Sequence, residues 1–187
     1  MELALWVGPA IVAAVIAALI NVAGWFITFR QTREIEKDRR SEKVVDTQTA
    51  LLAEIRSDLK ILEDIDFTAE ISATRLKLTS TVAIDAYTPF VPKDSGTPIF
   101  SAIVREIAVL PTDVIDPIVL RYKLRESIAH FTEDLRVQSF SELSSDRKLA
   151  MMEDYFRMKA HSANLARNAV AALERSLGLS SKVNSTV

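Results

Sequence analysis

The sequence has no cysteine and only two histidines, and these shortages exclude several kinds of site. Without cysteine the chain has no disulfide, no thiolate zinc site, no iron–sulfur cluster and no cysteine nucleophile. It has only four glycines, and none of them forms a Gly-rich phosphate loop. The sequence has no excess of basic residues, because it has 23 Lys and Arg and 25 Asp and Glu. This balance argues against a nucleic-acid binder. The 187 residues suffice for one modest domain with an appendage.

A long uncharged run follows Glu2 near the start of the chain. As a helix, residues 7–29 would extend about 35 Å, which is enough to cross a hydrocarbon core of roughly 30 Å. Trp6 and Trp25 would lie about 28 Å apart, one at each membrane interface. The alternative is a cleaved signal peptide, but Glu2 replaces the usual basic residue and the apolar run exceeds a usual h-region. We therefore predict an uncleaved transmembrane anchor at residues 1–29.

Basic residues follow the anchor at once and predict its orientation. They are Arg30, Arg33, Lys37, Arg39, Arg40 and Lys43. Positive residues stay in the cytoplasm, so we expect the amino terminus outside and the C-terminal domain inside, with Arg30 and Arg33 at the interface beside Trp25. Acidic residues are interspersed over residues 30–43, which favours a solvated, mixed-charge juxtamembrane helix over a specific site for anionic lipids.

Small and polar residues inside the anchor follow one helical line, which we call the small-residue seam. Its members are Ala10, Ala14, Ala17, Asn21, Gly24 and Thr28. Small residues let helix backbones approach closely, and Asn21 can hydrogen-bond across to a second Asn21. The alternative is that alanine is simply common here and that Asn21 reaches toward the headgroups. We predict self-association of the anchor along this seam.

Helix breakers divide the rest of the chain. Residues 30–87 and 118–177 contain no Gly and no Pro, while a Pro-rich elbow occupies residues 88–117. Apolar residues recur every three or four positions in the first arm, with a possible continuation at Ile65, Phe67 and Ile71. In the elbow, Thr97 and Pro98 can start a short helix whose apolar face is Ile99, Ile103, Ile107 and Leu110.

Two more helices are predicted after the elbow. Asp113 or Asp116 would cap the first, whose stripe is Leu120, Leu124, Ile128, Phe131 and Leu135. A serine-rich loop at residues 139–145 would precede the second, which would run from about residue 146 to residue 177 and be capped by Gly178.

These stripes must be buried against one another, so the predicted fold is all-α. One transmembrane helix continues into a charged stalk helix and a small antiparallel cytoplasmic helical bundle at residues 44–178, followed by a flexible tail at 179–187. A parallel coiled coil of the first arm is the alternative. Gln48 and Asp58 interrupt a strict apolar seam, however, and favour packing within one chain.

One stretch carries a resemblance. It runs from Ile99 to Pro111 as IFSAIVREIAVLP and continues with Asp113-Val114-Ile115, Val119 and Tyr122. This pattern resembles uncharacterised bacterial single-pass membrane proteins with a short N-terminal anchor and a helical cytoplasmic tail. The resemblance implies a bacterial origin, and hence the inner membrane, but its motif is apolar and brings no catalytic residues.

Candidates for chemistry are sparse. His130 lies near Glu126 and Glu133 at helical spacing, but neither His130 nor His161 has the Glu three residues earlier that metal sites in helical bundles use. We therefore predict surface or structural histidines, no enzyme, no metal, no cofactor and no small-molecule substrate. The predicted function is a membrane-anchored scaffold that binds proteins, itself included. The alternative is a membrane effector whose clustered anchors perturb or permeate the bilayer.

Overall fold

The computed structural model describes residues 3–80, 89–93 and 96–179, with side chains from Val12 onward. Every regular element in these ranges is helical, which confirms the predicted all-α class. The elements are α1 (Leu3–Glu63), α2 (Phe67–Thr79), α3 (Pro98–Ile103) with a 3₁₀ segment at Val104–Val109, α4 (Thr112–Asp134), α5 (Gln138–Ser141) and α6 (Ser145–Ser176). Contacts divide the chain into two compact units, residues 1–44 and residues 45–187.

The first unit is helical and exposed. α1 is the one described helix that is long and apolar enough to cross a membrane, and none of its most apolar window is buried. Large apolar side chains of this window, such as Leu19 (65% exposed), Ile20 (66%) and Val22 (64%), face outward. Their exposure agrees with an anchor, because soluble proteins rarely leave so large an apolar surface uncovered.

Within the second unit, the chain breaks between α1 and α2. The stripe through Leu51, Ile55 and Leu62 is buried as predicted, but the helix ends at Glu63 instead of continuing. Asp66 begins the next helix, because its side chain accepts hydrogen bonds of 3.0 Å from the backbone N–H groups of Thr68 and Ala69. An aspartate in this position satisfies donors that a helix start leaves free.

The elbow forms α3 and the 3₁₀ segment. Pro98 occupies the first helical position as predicted, and Thr97 stands at the N-cap. The side chain of Thr97 makes no capping hydrogen bond, so that part of the expectation is wrong. Ile99, Ile103 and Ile107 are half-buried on one side of this short helix.

The start of α4 corrects the predicted cap. Pro111 is the N-cap residue, so neither Asp113 nor Asp116 caps the helix, and Pro117 lies inside it instead of in the elbow. Leu120, predicted in the buried stripe, is 57% exposed. The rest of that stripe is covered as predicted, with Ile128 and Leu135 buried and Leu124 and Phe131 half-buried. α4 also buries Val114, Ile118, Arg121, Tyr122 and Thr132.

The end of the chain matches its prediction more closely. α6 begins at Ser145 and ends at Ser176, and Gly178 follows with a φ of +68°, the left-handed conformation that favours glycine after a helix. The predicted serine-rich loop instead contains the four-residue helix α5, which buries Phe140.

The core lies where α1, α4 and α6 meet. One cluster joins Leu51 and Ile55 of α1 to Ile118 of α4 and to Ala166 and Leu173 of α6. A second cluster joins the other end of α4 to the first half of α6, so these two helices are antiparallel. The α1–α6 pairs, which are Gln48 with Ser176, Arg56 with Glu174 and Glu63 with Arg167, also run in opposite directions. α1 and α4 are therefore parallel to each other.

Candidate functional site

The small-residue seam is exposed where its side chains are described. Ala14, Ala17, Asn21 and Gly24 all lie on the surface of α1, and the space around a Cβ at Gly24 is open to 4 Å. The hydroxyl of Thr28 donates a 2.9 Å hydrogen bond to the carbonyl of Gly24. This donor is therefore satisfied within its own helix, which suits an apolar surrounding. The side chain of Ala10 lies outside those described.

Aromatic and basic side chains gather at the end of the apolar run. Trp25 stacks on Phe29 with ring centroids 5.6 Å apart. The guanidinium of Arg30 lies 4.9 Å from the centre of the Phe26 ring, and that of Arg33 lies 4.5 Å from the centre of the Phe29 ring. Such cation–π pairs hold each charge against the face of an apolar ring, and the neighbouring indole of Trp25 is of the amphipathic kind enriched at membrane interfaces. The side chain of Trp6, predicted at the opposite interface, lies outside those described.

In the second unit a partly buried polar cluster connects α1, α3 and α4. We call it the clasp, and its members are Glu54, Asp58, Arg121, Tyr122 and Arg125. Glu54 accepts hydrogen bonds from the N–H of Ile99 at 2.9 Å, the N–H of Phe100 at 3.1 Å and the hydroxyl of Tyr122 at 2.5 Å. A carboxylate of α1 thus caps the start of α3, in the role that Thr97 does not fill.

The other carboxylate of the clasp pairs with two arginines. Asp58 accepts from Arg121 at 3.1 Å and also from Arg125. The Arg121 side chain is only 2% exposed, and a charge this deeply buried requires a partner of opposite sign. Arg125 also donates a 2.7 Å hydrogen bond to the carbonyl of Gly96, which ties the segment before α3 to α4.

Burial changes the acid–base properties of the clasp. It raises the pKa of Tyr122 far above its ordinary value, with a further increase from the hydrogen bond to the Glu54 carboxylate. Burial also lowers the pKa of Arg125. The Tyr122 ring stacks on Phe100 with centroids 3.6 Å apart, which keeps the phenol away from water. Tyr122 therefore stays a hydrogen-bond donor at any physiological pH.

A groove of about 850 Å³ lies beside the clasp, and we call it the α4 groove. Its apolar lining residues include Phe100, Val104, Ile107, Val119, Ala129 and Val137. Its charged lining residues are Lys93, Lys123, Arg125, Arg136, Glu126 and Glu133, a ratio of four cations to two carboxylates. An apolar floor with a cationic excess suits an apolar ligand that carries negative charge.

The two histidines lie apart from the clasp. His130 is exposed and stands 3.7 Å from the carboxylate of Glu133, and His161 is also exposed. Within the described residues, no group of three or more His, Asp and Glu is placed to hold a metal ion.

The long apolar helix is predictable from the sequence, but the clasp is not singled out there. Gln48 and Asp58 were recognised only as interruptions of an apolar stripe, and both pair within the chain: Gln48 donates to Ser176 at 2.9 Å, and Asp58 accepts from the two arginines. Those interruptions are the only sequence feature that points toward the clasp. Glu54 gave none, because its partners lie 45 to 68 positions away along the chain.

Comparison of this chain with models of protein families, with curated proteins and with solved structures yields no match.

Proposed function

We propose that the protein is a single-pass protein of the bacterial inner membrane that acts by binding proteins, including a second copy of itself. The observation that supports this most directly is the exposed apolar length of α1, none of whose most apolar window is buried within the chain. A bilayer would cover that surface. The proposal assigns the protein no reaction and no cofactor.

The proposed orientation places the second unit in the cytoplasm. It depends on the six basic residues at 30–43 and on the absence of basic residues between the amino terminus and Arg30. The aromatic cluster supports an interface at this end of the apolar run, because Trp25, whose indole favours headgroup depth, stacks on Phe29 and the guanidinium of Arg33 lies over the same Phe29 ring.

Self-association is proposed along the small-residue seam. Ala14, Ala17, Asn21 and Gly24 are all exposed, so a neighbouring helix can approach them without displacing any part of the chain. The contribution of an Asn21–Asn21 hydrogen bond between two copies is about 0.6 to 2 kcal/mol. Close backbone contact at Gly24 is the larger contribution in this proposal.

The anchor experiment compares three variants by crosslinking in membranes. Gly24→Ile should prevent close approach, and Asn21→Leu should weaken association by at most about 2 kcal/mol. Ala23→Ile is the matched control, because it adds the same side chain about 100° around the helix from Gly24. The open space around Gly24 means that the substitution creates no clash within one chain. Equal crosslinking of Gly24→Ile and Ala23→Ile would refute the seam as the contact.

The second proposed surface is the α4 groove, which would receive an apolar segment of a partner polypeptide with acidic flanks. Arg125 and Lys123 already pair with Asp58 and Glu126, so Lys93 and Arg136 beside the apolar floor are the cations that support this choice of occupant. A photo-crosslinking residue at Val104, which is 41% exposed in the groove, should form one discrete adduct in cells. The same residue at Leu120, which is 57% exposed on α4 and outside the groove, is the control. Adducts of equal yield at both positions would contradict the assignment.

A membrane effector is the second candidate. It is favoured by one observation, the exposed amide of Asn21 in the middle of an apolar helix surface. Clustered anchors with Asn21 facing one another would leak ions. Loss of membrane potential on expression, abolished by Asn21→Leu, would favour this candidate over the scaffold.

A further inference from the structure

The charged segment after the anchor is not evenly mixed, because its helix places four basic residues on one face and three of the four acidic residues on another. α1 is helical throughout residues 30–43, and these side chains are exposed. Arg30, Arg33, Lys37 and Arg40 are separated by three, four and three residues, so they share one face of the helix. We call this face the basic stripe.

Three of the four acidic residues of the same segment form a line of their own, and the fourth, Glu36, lies one turn before Arg40 at the edge of the stripe. Glu34, Asp38 and Glu42 are each four residues apart, and at about 100° per residue their line is centred about 120° around the helix from the basic stripe. Within the described part of the chain, no carboxylate lies within 4.0 Å of a basic nitrogen of the stripe. The interspersed sequence therefore does not neutralise the stripe in three dimensions.

The stripe begins inside the aromatic cluster at the end of the apolar run. Arg30 and Arg33 cover the rings of Phe26 and Phe29, and Trp25 stacks on Phe29. Tryptophan indoles such as that of Trp25 lie at headgroup depth in membranes, and the long side chains of Arg30 and Arg33 beside it can reach the phosphates of the same leaflet. The stripe thus starts at the level of the phosphates and continues for about 15 Å away from it at ~1.5 Å per residue.

We propose that the basic stripe binds the headgroups of anionic phospholipids in the leaflet where the anchor ends. This inference rests on the proposed membrane anchor. Electrostatic attraction falls off within about 8 Å in physiological salt, so α1 must lean with the stripe toward the bilayer for Lys37 and Arg40 to contribute. Each basic residue near the surface then strengthens binding about fivefold.

The test uses the full chain in lipid vesicles, with Trp25 as the reporter. Trp6→Phe in every sample leaves Trp25 as the single tryptophan, since the chain has two. The vesicles contain phosphatidylcholine and a minor fraction of phosphatidylglycerol, and a quencher is attached to the acyl chains of one lipid or the other. The ratio of the two quenching efficiencies measures how strongly phosphatidylglycerol is enriched around Trp25.

Two matched double variants separate the stripe from net charge. Lys37→Gln with Arg40→Gln removes two charges from the stripe, and Arg39→Gln with Lys43→Gln removes two charges from elsewhere on the same segment. We expect the first to lower the preference for phosphatidylglycerol fivefold or more and the second to lower it less than twofold. Inorganic phosphate should displace no more phosphatidylglycerol than chloride of equal ionic strength does, because the site is a surface for lipid and not a small-anion pocket.

The possible outcomes are distinct. Three results would each refute lipid binding by the basic stripe. They are equal effects of the two double variants, no preference for phosphatidylglycerol in the unsubstituted chain, and displacement of phosphatidylglycerol by inorganic phosphate. If neither labelled lipid quenches Trp25, the anchor itself does not insert, and the proposed membrane function fails instead.

Discussion

The carboxylate of Glu54 should contribute strongly to stability, because it completes a helix that begins 44 residues later along the chain. Glu54→Ala leaves the N–H groups of Ile99 and Phe100 and the hydroxyl of Tyr122 without their acceptor. Loss of a helix cap costs about 1 kcal/mol. Loss of a hydrogen bond to a charged group adds about 1.5 to 3 kcal/mol. We expect the free energy of unfolding to fall by about 2.5 to 4 kcal/mol.

Two further variants isolate the reason for this loss. Glu54→Gln keeps an acceptor oxygen but removes the charge, so it should cost less than Glu54→Ala. Glu63→Ala is the matched control on the same helix, because Glu63 pairs with Arg167 at 3.1 Å through side chains that are 43% and 52% exposed. Exposed pairs of this kind contribute less than about 1 kcal/mol. Urea unfolding of a soluble fragment that starts at Ser41, followed by circular dichroism, measures all three. Equal losses for Glu54→Ala and Glu63→Ala would refute the capping role.

The remaining predictions concern pH, autonomy and topology. The folded protein keeps the Tyr122 proton at pH values where the unfolded chain has lost it, so this residue's contribution to the free energy of unfolding should fall as the pH rises above about 10. Tyr122→Phe should show a smaller fall. Parallel profiles of stability against pH for the two proteins would contradict this prediction. The fragment that starts at Ser41 contains the whole second unit, so it should be strongly helical and unfold cooperatively on heating. A gradual thermal unfolding curve would show that the bundle needs its anchor or a partner to fold. A reporter active only in the cytoplasm, fused after Val187, should be active, and activity of an externally active reporter there would reverse the orientation.

The apolar framework was predictable from sequence because each stripe has the period of its own helix. Leu51, Ile55 and Leu62 are buried as their spacing indicates. Spacing cannot reveal which apolar residue faces the core when polar residues compete for the same side. In α4, Arg121 and Tyr122 occupy buried positions, paired with Asp58 and Glu54, while the neighbouring Leu120 faces solvent.

The clasp could not be predicted because its partners are distant in sequence and its residue types are typical of a solvated surface. Arg121 and Arg125 look like ordinary exposed charges until α1 supplies Asp58. The cap of α3 is also not evident from the local sequence. Thr97 is a suitable N-cap residue and stands at the N-cap position, but its side chain makes no capping hydrogen bond. Local rules of capping describe what a helix start needs and not which part of the chain provides it.

The core combines residues that are far apart along the chain, and this affects folding during synthesis. Leu51 and Ile55 are each 1% exposed, and Ala166 and Leu173, which help to cover them, are close to the other end of the chain. A ribosome must add roughly 110 residues after Ile55 before Ala166 exists, which takes roughly 6 to 22 s at 5–20 residues per second. During that interval the apolar stripe of α1 lacks the part of its native cover that α6 provides. Mutations that slow release of the chain, or truncations before α6, should therefore expose this stripe to chaperones and to neighbouring nascent copies.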